Sequence, residues 1–94
     1  MKHHQHYTLL VEHNSETYKV AVDEYKRTTA YYIYELKLKR TRFILVDDMG
    51  DWGLIANLKP CESLLNAIIS ALKFKRPVPI NNEPVFFFPL RLVK

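Results

Sequence analysis

Residues 31–56, YYIYELKLKRTRFILVDDMGDWGLIA, constrain this chain more than any other stretch. Apolar and polar side chains alternate through three short runs broken by two turns, the period-two signature of consecutive antiparallel strands. In the first run Tyr32, Tyr34, Leu36 and Leu38 alternate with Ile33, Glu35, Lys37 and Lys39. A turn at Arg40-Thr41 sets Lys39 opposite Arg42, Leu38 opposite Phe43 and Leu36 opposite Leu45. That register groups Leu36, Leu38, Phe43 and Leu45 on one face and Lys37, Lys39, Arg42 and Ile44 on the other, as a half-buried sheet requires. Ile44 and Val46 make the second strand apolar on both sides, which implies a partly covered second face. The next turn, Asp48-Met49-Gly50-Asp51, has a glycine able to take a positive φ, and it sets Leu45 opposite Leu54 and Asp47 opposite Trp52. The carboxylates of Asp47, Asp48 and Asp51 lack the spacing of a calcium loop and read as turn formers.

The flanking segments read as partners of this block. Tyr7, Leu9 and Val11 alternate with Thr8, Leu10 and Glu12. After Asn14-Ser15, Tyr18, Val20 and Val22 alternate with Lys19, Ala21 and Asp23, which makes a hairpin. Residues 1–6, MKHHQH, read as a polar N-terminal tail. His4 and His6 share one face of an extended segment with only His13 nearby, short of the four ligands of a zinc site, so no metal is expected. From Pro60 to Lys73 the pattern turns helical. Cys61, Leu64, Leu65, Ile68, Ala71 and Leu72 form one stripe, Asn57 is a candidate cap, and Glu62 and Lys73 suit the two ends of the dipole. Residues 76–94 read as an extended strap, because Pro77, Pro79, Pro84 and Pro89 exclude a regular helix. Within it Val85, Phe86, Phe87 and Phe88 need something to pack against, and the prolines favour an edge position.

The 94 residues, 48% hydrophobic and 26% charged, suffice for one small folded domain covering 1–94. A single cysteine rules out an internal disulfide and fits a reducing compartment. No apolar run nears the roughly eighteen residues of a membrane span, and no signal-peptide core follows the N-terminal charge, so a cytoplasmic protein is expected. The net charge of +4 mildly favours polyanionic partners.

No catalytic constellation emerges, so the chain is expected not to be an enzyme and to need no cofactor. Two glycines, Gly50 and Gly53, cannot build a phosphate-cradling loop. Cys61 on the helical stripe reads as a small buried hydrophobe rather than a nucleophile. The sharpest binding signal is the basic hairpin of Lys37, Lys39, Arg40 and Arg42, with Tyr31 on the same face as Lys37 and Lys39. Cations beside an exposed aromatic are what single-stranded nucleic acid needs, though charge at a hairpin tip also keeps a sheet edge soluble. Strands followed by one helix are similar in outline to the repeat of PUR-type single-stranded nucleic-acid binders; no motif residue matches, so the likeness transfers no site.

The expected architecture is α+β. An antiparallel sheet of about five strands (Tyr7–His13, Thr17–Tyr25, Tyr31–Lys39, Arg42–Asp47, Trp52–Ala56) carries one helix on one face, followed by the proline-rich strap. One helix covers only part of such a sheet. The expected function is therefore a non-catalytic interaction module, a homodimer or a dock for a protein partner, with Val85–Phe88 at the contact. The alternative is single-stranded nucleic-acid binding through Tyr31, Lys37, Lys39, Arg40 and Arg42.

Overall fold

A computed structural model describes residues 3–77 and 85–87 of the chain. They form strands β1 (His3–His13), β2 (Glu16–Thr28), β3 (Tyr31–Leu38), β4 (Thr41–Asp48), β5 (Asp51–Ile55), β6 (Arg76–Pro77) and β7 (Val85–Phe87), with helix α1 (Glu62–Phe74). The class is α+β, as expected. The sheet is not five antiparallel strands, however, but seven in a mixed arrangement, ordered β5-β4-β3-β2-β1-β7-β6. The C-terminal segment supplies the extra two: β7 runs parallel to β1 and antiparallel to β6. Strands of two and three residues are too short to show alternation, and a parallel neighbour far along the chain leaves no local trace.

The described residues divide into two compact units, 3–6 with 21–59, and 7–20 with 60–77 and 85–87. In the first, β3 and β4 close through Lys39-Arg40, one residue earlier than the expected Arg40-Thr41. Lys37 lies opposite Arg42, Leu36 opposite Phe43 and Tyr34 opposite Leu45. The register thus differs from expectation by two residues. Because side chains alternate with period two, an even shift leaves each strand residue on its assigned face. Tyr34, Leu36, Leu38, Phe43 and Leu45 are buried, with Val22 of β2. Lys39 itself leaves the strand for the turn, with φ 57°. β4 and β5 pair as expected, Leu45 with Leu54 and Asp47 with Trp52. At their turn Gly50 has φ 90°, and its amide donates 2.8 Å to Asp47 Oδ1, so Asp47 acts as a turn former. Tyr32, Tyr34 and Trp52 stack in sequence, with centroids 6.1 and 5.6 Å apart, and burial pushes the Tyr34 phenol upward.

In the second unit Asn14 and Ser15 both take left-handed φ, 52° and 66°, the turn that matches strand twist in a two-residue hairpin. Tyr7, Leu9 and Val11 of β1 are buried, as are Leu64, Leu65, Ile68, Ala71 and Leu72 of α1. The helix begins at Glu62, and its cap position is Cys61, not Asn57. Two contacts set its course along β1. Near its start Ser63 Oγ meets His13 Nε2 at 2.9 Å; just past its end Lys75 Nζ lies 5.3 Å from the Tyr7 ring centroid. Thirteen helical residues span about 20 Å, and so do the six strand steps from Tyr7 to His13, so helix and strand match in length.

β7 is not the edge strand that its prolines suggested, since β1 and β6 flank it. Phe86 lies opposite Leu9, its ring meets Tyr7 edge-on at 5.0 Å, and Lys75 Nζ lies 5.7 Å from its centroid. Val85 is buried and Phe86 and Phe87 are half-buried, so this part of the strap packs in cis. Phe88, Pro79, Pro84 and Pro89 lie outside the described residues.

Candidate interaction surface

The outer face of β3, β4 and β5, opposite the buried Leu36 and Leu45, is ordered by the strand register into four rows. The first is Lys37 and Arg42; the second Glu35, Ile44 and Ile55; the third Ile33, Val46 and Gly53; the fourth Tyr31, Asp48 and Asp51. Rows two residues apart are about 6.8 Å apart, so the first and fourth are separated by roughly 20 Å. The face is therefore polarised, cationic at one end, anionic at the other, with an apolar strip between. Ile33, Ile44 and Val46 are half-buried, and Ile55 is 62% exposed. A groove of about 530 Å³ opens over the cationic half, lined by His6, Asp23, Glu35, Lys37, Arg42 and Ile55.

Of the expected nucleic-acid set, Lys37 and Arg42 are brought directly opposite each other, and Lys39 and Arg40 follow in the exposed turn. Tyr31 shares the face with Lys37 but stands at the far end, opposite Asp48. A phosphate backbone running from the cations to that ring would cross Glu35 and arrive beside two carboxylates.

At the side of the groove Asp23 Oδ1 accepts hydrogen bonds from His4 Nε2 (2.8 Å) and His6 Nδ1 (3.0 Å). A carboxylate only accepts, so both nitrogens carry protons. The His4 ring also stacks on Tyr25 at 4.6 Å. Partial burial works to raise the Asp23 carboxyl, but the two histidine hydrogen bonds outweigh it and hold the group below its usual range. Residues 3–6 are thus built into β1 instead of forming a free tail. The sequence reading missed Asp23 as the partner, although its own hairpin carried the signal. With the turn at Asn14-Ser15, counting back from His13 opposite Glu16 places His6 opposite Asp23. Among the described residues no group of three His, Cys, Asp or Glu is arranged to hold a metal ion.

Cys61, expected to be buried, is exposed. As the residue before the first helical turn it stands off the stripe that begins at Leu64. Its Sγ lies 3.7 Å from Ser63 Oγ, which in turn meets His13. The Leu64 amide foremost, then the Ser63 hydroxyl, hold the thiol below its ordinary pKa. Ser63 is the link that spacing did not reveal.

Comparison with family models, with curated proteins and with solved structures finds no match. Among the described residues no helix is long and apolar enough to cross a membrane.

Proposed function

We propose that this protein is a non-catalytic interaction module that binds a protein surface, a second copy or another protein, through the outer face of β3, β4 and β5. The observation that carries the reading is the strip of Ile33, Ile44, Val46 and Ile55, left partly open to water between two charged rows. A core strand needs no second apolar face, whereas a contiguous exposed apolar patch rimmed by charge is the signature of a docking surface. Of Val85–Phe88, the contact expected from sequence, the described residues Val85–Phe87 are largely engaged within the chain and leave this face as the stronger candidate.

A second reading, single-stranded nucleic-acid binding at Lys37, Lys39, Arg40 and Arg42, draws support from the four cations at one hairpin end. Glu35, Asp48 and Asp51 on the same face weigh against it. The two readings part in one experiment: capture from an extract of the cells that make the protein, using immobilised wild type and Ile44→Asp. The docking reading expects bound protein that Ile44→Asp loses. Capture of nucleic acid instead, unaffected at Ile44 and falling steeply with salt, would overturn it.

A further inference from the structure

The four rows of the outer face are complementary to themselves. A twofold axis lying parallel to the sheet plane and across the strands turns one copy to face another with strand direction reversed and each strand over its equivalent. The first row of either copy then lies over the fourth row of the other, and the second over the third. Arg42 comes over Asp48, Lys37 over Tyr31 next to Asp48, and Ile44 over Val46. Ile55 comes over Gly53, where a Cβ would find open space. Glu35, the only charge in the two middle rows, comes over Ile33. We infer that the partner of this face is a second copy of the chain, joined antiparallel through β3, β4 and β5, with Lys37 and Arg42 of each copy against Asp48 and Asp51 of the other. The inference rests on the proposed role of this face as a docking surface.

The physical case has three parts. A twofold interface brings one patch onto itself, so a patch with a single sign of charge would repel its own copy; this face carries both signs, at opposite ends of the strip. The middle rows offer apolar side chains at complementary heights, with the exposed Ile55 meeting a glycine. Stacked sheets sit about 10 Å apart, a gap that two layers of isoleucine and valine can fill, with the small rotation that sheet twist imposes. The face offers roughly 400–500 Å² per copy, on the scale of a transient pair and below that of an obligate dimer. Self-association is therefore expected to depend on concentration. Desolvation of Glu35 opposes it, and Glu35→Gln is expected to strengthen it.

The test uses the full chain in sedimentation equilibrium from micromolar to millimolar concentration. Wild type is expected to move from monomer to dimer. Lys37→Glu with Arg42→Glu makes both ends of the face acidic, and Asp48→Lys with Asp51→Lys makes both ends basic. All four side chains are exposed, so each double variant is expected to fold, which circular dichroism checks. Each alone is expected to lose self-association by about tenfold or more, since like charges then meet at both ends. Mixed in equal amounts, the two should form a heterodimer at least as strong as the wild-type pair. A wild-type chain that stays monomeric overturns the inference; if extract capture still depends on Ile44, the docking reading stands and the partner is another protein. Wild-type dimers that survive either charge reversal, or variants that fail to pair on mixing, also overturn it, by showing that copies meet elsewhere or in another register.

Discussion

His13 Nε2 and Ser63 Oγ, fifty residues apart in the chain, meet at 2.9 Å and tie the end of β1 to the first turn of α1. The helix has no side-chain cap of its own, and its first backbone bond runs from the Leu65 amide to the Cys61 carbonyl at 2.9 Å. The His13–Ser63 bond therefore anchors an otherwise uncapped end. Ser63→Ala is expected to lower stability by about 0.5–1 kcal/mol, the low end for a hydrogen bond because this one is exposed. Urea unfolding measures it, and a change within error would mean that the bond contributes nothing in water.

At the other end of the helix Lys75 Nζ lies over both Tyr7 and Phe86 and donates to the Leu72 carbonyl at 3.3 Å. Phe86→Ala removes a half-buried ring and one cation–π partner, with an expected loss of about 1–3 kcal/mol. Because β7 packs in cis, this loss is expected to be independent of protein concentration. A loss that appears only at high concentration would place Phe86 in a contact between copies.

The two faces of β4 should answer differently to substitution. Leu45, 1% exposed, is expected to cost about 2–5 kcal/mol on replacement by alanine. Its outward neighbour Ile44, half-buried and opposite Glu35, is expected to cost less, about 1–2 kcal/mol as Ile44→Asp in the monomer, from lost strand propensity and two facing carboxylates. Thermal unfolding at low concentration compares them, and equal losses would contradict the assigned faces.

Acid should weaken the clasp between β1 and β2 at Asp23. The folded-state pKa of this carboxyl lies below its unfolded value, so its contribution is present above the unfolded pKa and is lost as pH falls through the folded one. Wild type should exceed Asp23→Asn in stability at neutral pH by about 0.5–1 kcal/mol, the low range for hydrogen bonds because these are exposed. The gap should close on acidification. A gap that persists at low pH would show that the charge of Asp23 is not what His4 and His6 recognise.

Cys61 should react with iodoacetamide as an accessible, activated thiol. Its rate should rise with pH about a midpoint below that of the same thiol in the urea-unfolded chain, since the Leu64 and Ser63 groups that favour the thiolate exist only when the chain is folded. Coincident midpoints would remove any electrostatic effect of the helix start.

Much of this was legible locally. The β3–β4–β5 meander, the two faces of each strand and the apolar stripe of α1 follow from alternation and helical spacing, signals that each segment carries alone. The β3–β4 turn was misplaced by a residue because Lys39-Arg40 lacks the Asn-Gly or Asp-Gly pair that marks such turns. The faces survived because the resulting slip was even. Cys61 was misread because its distance from Leu64 fits a stripe that had not yet begun at its position.

What the sequence determined by itself is therefore the five strands β1 to β5, the helix and which side of each is apolar, since those depend on neighbours within a few residues. What only the tertiary structure decided is who meets whom across long separations. Ser63 joins His13, and β7 lies parallel to β1. The acidic row of Asp48 and Asp51 stands three rows from the cations, beside Tyr31. These pairings depend on where strands are laid down in space, and no periodicity within a segment encodes a partner dozens of residues away.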